Sequence, residues 1–256
     1  MADVTSRYPV GAPCWFDMTV PNRATAVEFY GAVLSWDVDT TEHYGFCRVR
    51  GRDVAAVAEP FEGEAPPAQS NWVVYLATDD CAGTLRKVEE HGGRVIREQL
   101  ADNWGTMAIV EDPTGGIFSL WQAGEHLGSG AFNEPGAPCW NEIATRDVAR
   151  AVDFFTKVFG YEAEALPDGP FDYTVLKANG EPVAGVYGGQ GRVSSGHGAW
   201  LTYFATNDTD AASHTAVGNG GRVLGEPEDT PFGRLAILAD PFGAHFAVIK
   251  LPTGQA

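Results

Sequence analysis

The chain repeats itself across its midpoint. Gly11-Ala12-Pro13-Cys14-Trp15 returns as Gly136-Ala137-Pro138-Cys139-Trp140, an offset of 125 residues (136 − 11). Val27-Glu28-Phe29-Tyr30 returns as Val152-Asp153-Phe154-Phe155 at the same offset. Residues 72–80 return as 200–208, Gly92-Gly93-Arg94-Val95 as Gly220-Gly221-Arg222-Val223, and Asp112-Pro113-Thr114-Gly115 as Asp240-Pro241-Phe242-Gly243, all at an offset of 128. Such a period is far beyond the roughly 20–50 residues of a solenoid repeat and matches a whole small domain. Whatever one half folds into, the other must fold into as well, and each position can be compared with its twin. The domains read as 1–124 and 136–256, with a Gly-rich, polar linker at 125–135.

Composition narrows the class. A hydrophobic fraction of 44% suits a globular core. No apolar run reaches the roughly 20 residues that span a bilayer, and the N-terminal residues lack the pattern of a secretory signal. The four cysteines, at 14, 47, 81 and 139, have no C-x-x-C spacing and read as buried, reduced thiols, so the expected location is the cytoplasm. The net charge is −17, split as −10 over residues 1–130 (9 basic, 19 acidic) and −7 over the rest (8 basic, 15 acidic). That field disfavours nucleic acid and anionic membranes as partners and favours cationic small molecules.

Each half divides again. Residues 14–20 alternate as a strand, Asn22 is placed to cap the following helix, and Val27, Tyr30 and Leu34 form its buried stripe. Strands follow at 45–49 and 54–58, joined by the turn Gly51-Arg52-Asp53. The second part repeats the order: a strand at 72–78, a cap at Asp80, a helix at 84–91 ended by Gly92-Gly93, and strands at 106–110 and 117–121. The unit of strand, helix and two or three strands thus occurs four times.

The A-V-E-F-Y and A-V-D-F-F helices, the Gly-Gly-Arg-Val turns and the D-P-x-G turns, in this order and in both halves, resemble the vicinal oxygen chelate superfamily. That superfamily includes glyoxalase I, the bleomycin-resistance proteins and the extradiol dioxygenases, and the tandem glyoxalase-like proteins of actinobacteria are the most similar type. The resemblance implies an α+β fold: a tandem duplication of a domain made of two βαβββ modules, whose strands curl into a cup-shaped, partly open barrel with the helices outside. Members that use a metal draw ligands from four strand positions. Here these fall on Trp15 and Trp140, on Val73 and Leu201, on Ser119 and Ala247, and within 56–58 and 185–187, with Glu59 the nearest carboxylate. Indole nitrogen only donates hydrogen bonds, so no metal and no other cofactor is expected.

If those positions mark the inward faces, alternation names the walls. The first cup takes Trp15, Asp17, Thr19, Val73, Tyr75, Ile117, Ser119 and Trp121; the second takes Trp140, Glu142, Ala144, Leu201, Tyr203, His245, Ala247 and Ile249. Trp36 and Phe46 read as core, Cys14 and Cys139 as helix-facing, and His197 as part of a solvated Gly-rich loop. The expected ligand residues are Trp15, Asp17, Tyr75, Ser119, Trp121, Trp140, Glu142, Tyr203 and His245. A wall so apolar and aromatic suits a flat hydrophobic ligand. The twin acids Asp17 and Glu142 are read in three ways: as structural carboxylates, as counter-charges for a cationic group such as an amino sugar, or as proton carriers raised in pKa by burial.

Two functions follow as expectations. The first is a metal-independent binding protein of the bleomycin-resistance type for an aromatic natural product or antibiotic, acting in sequestration, self-resistance or as an accessory to biosynthesis. The second is a metal-free lyase, isomerase or cyclase with Asp17, Glu142 or His245 as general acid or base. A third, weaker alternative is an interaction protein with vestigial cups. Single-copy relatives build sites by dimerising, which a fused pair achieves within one chain, and a homodimer of the whole chain is compatible with this.

Overall fold

The computed structural model describes residues 4, 6–41, 44–60, 63–166, 172–189 and 198–252. The first module runs β1 (Pro13–Thr19), α1 (Arg23–Leu34), β2 (Asp37–Thr40), β3 (Tyr44–Val49) and β4 (Arg52–Ala58). The second runs β5 (Val73–Ala77), α2 (Cys81–Glu90), β6 (Arg94–Ala101), β7 (Gly105–Glu111) and β8 (Ile117–Ala123). The second half repeats both as β9 (Pro138–Ala144), α3 (Val148–Phe159), β10 (Glu162–Ala165), β11 (Tyr173–Ala178) and β12 (Glu181–Tyr187), then β13 (Ala199–Ala205), α4 (Thr209–Gly218), β14 (Arg222–Val223), β15 (Glu228–Thr230), β16 (Gly233–Ala239) and β17 (His245–Lys250). The short β2 and the edge strand β6 were not apparent as strands in the sequence.

All four helices start on a capping side chain, and two of these, Asn22 and Asp80, were predicted. Asn22 accepts from the Thr25 amide, and Asp80, Asp147 and Asp208 accept from the amides of Gly83, Arg150 and Ala211. The α1 stripe is wider than predicted: Ala26, Phe29, Tyr30, Val33 and Leu34 are buried, and Val27 only partly.

In each half the two modules join edge to edge. The first sheet has the order β2-β3-β4-β1-β5-β8-β7-β6; the second runs β10-β11-β12-β9-β13-β17-β16-β14, with β15 added on β16. The module seam is antiparallel, β1 against β5 and β9 against β13. The end strands are not paired to each other, so each sheet curls into an open cup and not a closed barrel.

The helices lie outside each cup, as expected, but they are not at the surface of the molecule. α1 packs on α4 and α2 on α3, so the helices form a shared layer between the two sheets. Phe16, Met18, Val74, Leu76, Phe118 and Leu120 from the first sheet and Ile143, Phe204, Phe246 and Val248 from the second belong to one core with the helix residues. The repeated Gly-Gly turns belong to this layer. Gly92 and Gly220 take φ of +85° and +86°, where a side chain is strained. A Cβ on Gly93 would stand 2.9 Å from the Phe154 ring, and one on Gly221 2.7 Å from the Phe29 ring. Each half thus leaves room for an aromatic ring of the other. Trp36 is core as predicted, its indole donating to the Gly136 carbonyl at 2.6 Å. No described helix is long and apolar enough to cross a membrane.

Candidate functional site

Strand alternation carries the other face of each sheet into a cup, and each cup holds its own apolar cluster. Cys14, Trp15, Phe46, Ala56, Tyr75 and Ala77 form the first, with Tyr44, Val73, Met107 and Trp121 against them. Leu201, Tyr203, Leu235, Ala247 and Ile249 form the second, with Cys139, Trp140 and Ile237. Thr19 and Ile117 lie on the predicted faces but at strand ends, where they are exposed. Ser119 is wholly buried beside Tyr75, its register partner.

Three assignments change. Cys14 and Cys139 belong to the cups, because each is the extra residue of a β-bulge: the register passes from Pro13↔Leu76 to Trp15↔Tyr75, and from Phe204↔Pro138 to Tyr203↔Trp140. Each thiol donates to the carbonyl of that tyrosine, Tyr75 or Tyr203, at 3.4 Å, and burial pushes both thiols well above their ordinary range. Phe46 is a wall residue and not helix-side core. Glu59 is turned away from the cup to accept from the Arg23 amide at the start of α1, at 3.0 Å. Trp72 and Trp200 lie on the helix side. His197 falls outside the described residues.

The polar centre of the first cup is Asp17. Its Oδ2 accepts from the hydroxyls of Tyr75 at 2.8 Å and Tyr44 at 2.9 Å, while the Trp15 indole donates to the Tyr44 oxygen at 3.1 Å. Burial pushes the Asp17 carboxyl up to about 6, against the two phenolic hydrogen bonds that pull it down. Burial, then the Asp17 charge, hold both tyrosines well above their usual range, so they remain donors. The second cup repeats the outer link: the Trp140 indole donates to the Tyr173 hydroxyl at 2.8 Å. Glu142, the twin of Asp17, is buried beside Leu201 and Gly185 in the register. Gly185 makes room for Tyr173, whose hydroxyl would stand 2.0 Å from a Cβ there. Tyr44 and Tyr173 were missed in the sequence, although each opens the third strand of its half.

His245 sits half-buried at the start of β17, with its pKa lowered by burial and then by the nearby Arg222 charge. It shares the inward face of its strand with Ala247 and lies two strands from Glu142.

The linker contributes to the first cup. Glu125 and His126 donate their amides to the carbonyls of Asn103 and Trp104 at 3.0 Å each, and the Trp121 indole donates to the His126 carbonyl at 3.0 Å. Glu134, buried, takes Arg50 and Arg52 as ion-pair partners. Thus held, the segment inserts His126 against Trp15, with ring centroids 4.3 Å apart and planes at 89°.

The superfamily's metal would need imidazole or carboxylate donors at the four inward positions. Those positions present indole, aliphatic and hydroxyl side chains, and among the described residues no three His, Cys, Asp or Glu side chains converge on one point. The residues present do not fit a divalent ion.

Comparison with known proteins agrees with this architecture. Residues 14–119 and 139–248 each match the profile of the Glyoxalase/Bleomycin resistance protein/Dioxygenase superfamily. The chain is 34% identical over 255 residues to the putative glyoxylase CFP32 of Mycobacterium tuberculosis, covering 96% of this chain and 97% of the relative. It is 34% identical over 269 residues to the anthracycline biosynthesis protein DnrV of Streptomyces peucetius, covering 97% and 96%. Among solved structures, the Mn(II)-bound glyoxalase of Novosphingobium aromaticivorans shares the fold with a TM-score of 0.65 at 16% identity, over 96% of this chain and 86% of that one. The chain belongs to the Glyoxalase/Bleomycin resistance protein/Dioxygenase superfamily and carries its domain twice.

Proposed function

We propose that this protein binds a flat, hydrophobic aromatic molecule without a metal, as an accessory to the biosynthesis of, or self-protection from, an aromatic natural product. The observation that carries the reading is the repeated tryptophan–tyrosine link. Trp15 and Trp140, whose indoles donate to the hydroxyls of Tyr44 and Tyr173, stand at the twin positions where metal-using members place their first ligand. Drift in one spare domain explains a single loss of a ligand. The same replacement twice, each with a tyrosine to orient the indole and an acid two residues on, supports a wall kept for stacking. Full-length similarity to an anthracycline biosynthesis protein supports a polycyclic, hydroxylated ligand class.

Titrating tryptophan fluorescence with 1,4-dihydroxyanthraquinone, in chelator-treated protein, tests the reading. Saturable quenching with the probe recovered unchanged is expected. Binding that needs an added divalent metal overturns metal independence, and the lack of any saturable binding across hydroxyanthraquinones overturns the ligand class.

One observation favours a second reading, a metal-free acid–base enzyme. Asp17 has two phenols on one oxygen and a pKa near 6, the properties of a carboxyl that can hold or release a proton near neutrality. Conversion of the probe class that is lost in Asp17→Asn while affinity is kept distinguishes it.

A further inference from the structure

The two cups differ in one respect that their sequences hide. In the first, the imidazole of His126 is surrounded by four aromatic rings. Trp15 meets it edge-on at 4.3 Å, Trp104 and Trp121 lie at 5.8 Å each, and Phe46 at 6.4 Å. Trp104, at the tip of the β6–β7 hairpin, also stacks on Phe46 at 5.5 Å and 26°, so the hairpin closes over the histidine. Nε2 of His126 is buried without a hydrogen-bond partner. A buried nitrogen left unpaired is unfavourable, yet the ring is held there by the hydrogen-bonded backbone of 124–126.

Among the described residues, no histidine is caged by aromatic rings in this way in the second cup. The position matching His126 at the offset of 128 is Gly254, which has no ring to insert. Phe232, the twin of Trp104 at the β15–β16 hairpin tip, is 60% exposed. At the β16 edge of the second sheet, a recess of about 280 Å³ lies between residues 224–228 and Leu235, Ala236 and Ile237, of which Leu235 and Ile237 face the cup. That volume approaches the roughly 300 Å³ at which small-molecule sites begin.

We propose that His126 is an internal ligand: the first cup is filled by its own chain, and the second is the one that receives a small molecule. The first cup then shows what an occupied cup looks like, a planar ring held edge-on to the β1 tryptophan under the hairpin aromatic. By its twin position, Phe232 is assigned the latter contact in the second cup. The assignment of the second cup rests on the binding function proposed above; the filling of the first does not.

His126→Ala opens the cage while leaving the backbone path intact, and imidazole is the probe. Imidazole is expected to raise the melting temperature of His126→Ala saturably, by roughly 3 °C at ten times its dissociation constant. The wild type and His126→Phe, whose ring keeps the cage filled, should show no such rise. A His126→Ala protein with native circular dichroism and no imidazole response overturns the internal ligand. Should that variant fail to fold, His126→Phe and His126→Leu decide: Leu destabilised and Phe near wild-type supports an aromatic seat, and equal stability overturns it.

With 1,4-dihydroxyanthraquinone the wild type should bind one molecule per chain. Phe232→Ala should weaken that binding about tenfold and Trp104→Ala should leave it unchanged. Two molecules per chain, or the reverse order of the two alanine variants, overturns the assignment. A wild type that binds no probe, beside an imidazole-responsive His126→Ala, sinks the proposed ligand class alone.

Discussion

The helix layer contains the same polar device twice, complete on one side and missing its middle on the other. In the first half, the Trp72 indole donates to the Tyr30 hydroxyl at 3.0 Å, and that hydroxyl lies 3.1 Å from Oδ2 of Asp240, in the D-P-x-G turn of the other half. The twins of these three residues are Trp200, Phe155 and Asp112. Their rings are arranged alike: Tyr30 to Trp72 is 5.3 Å at 80°, and Phe155 to Trp200 is 5.6 Å at 83°. Phe155 has no hydroxyl, and both Trp200 Nε1 and Asp112 Oδ2 are buried without a partner. One absent oxygen accounts for two unpaired polar atoms. The carboxylates otherwise serve their own turns, Asp240 accepting from the Phe242 and Ala244 amides and Asp112 from the Thr114 amide and hydroxyl. Burial raises the pKa of both. A duplicated interface therefore tolerates the defect once, because the turn contacts hold the acid in place.

Tyr30→Phe should give the largest effect, since it makes the intact side resemble the defective one. The ring and its packing stay, while Trp72 Nε1 and Asp240 Oδ2 lose their shared partner. Each such atom costs about 1–3 kcal/mol, so urea unfolding should show a loss of about 3 kcal/mol. A loss below about 0.5 kcal/mol means that the hydroxyl contributes nothing net and the two sides are equivalent in energy.

Phe155→Tyr runs the comparison in reverse with a smaller expected effect. The added hydroxyl would stand between an unpaired donor and an unpaired acceptor, gaining about 1 kcal/mol once the cost of fitting one more atom is included. The crystal structure of the variant should show the oxygen within hydrogen-bond distance of both atoms. A destabilised variant with a displaced Phe155 ring would show that the site has closed around the smaller residue.

The same contrast explains what could be read from the chain. The repeat, the four modules, the caps at Asn22 and Asp80 and the inward face of Trp15, Tyr75 and Trp140 were legible, because each rests on local periodicity or spacing. The cysteine faces were not: a single bulged residue reverses alternation, and nothing in Pro-Cys-Trp marks it. Phe46 and Trp104 meet only because the sheet curls until its β6–β7 end reaches β3, a long-range contact without a local signal. His126 was hidden for the opposite reason. It lies in a Gly-rich stretch that reads as a tether, and only the hydrogen bonds to Asn103 and Trp104 turn that stretch into part of a cup. Tyr44 and Tyr173 could have been found by comparing the halves for matched aromatics at strand starts, at an offset of 129 (173 − 44).

Asp17 gives the most limited prediction, on the pH dependence of stability. Its carboxyl is held near 6 in the folded protein, against about 3.9 in an unfolded chain. Between these values the folded state binds more protons than the unfolded one, so stability falls as pH rises. The contribution of the protonated form is full below about pH 4, declines through the window, and is gone once pH passes the folded value near 6. Asp112 and Asp240 act in the same direction, so the wild-type curve alone decides nothing; the difference from Asp17→Asn does. The uncharged amide can still accept from Tyr44 and Tyr75, and the variant should follow the wild type below pH 4 apart from a constant offset. Above that it should lose less stability than the wild type, and the two curves should run parallel again beyond about pH 7. Parallel curves throughout would show that Asp17 keeps an ordinary carboxylate pKa in the cup. Its two phenols would then serve to hold a charged group in place, which removes the observation favouring acid–base chemistry and leaves the binding function.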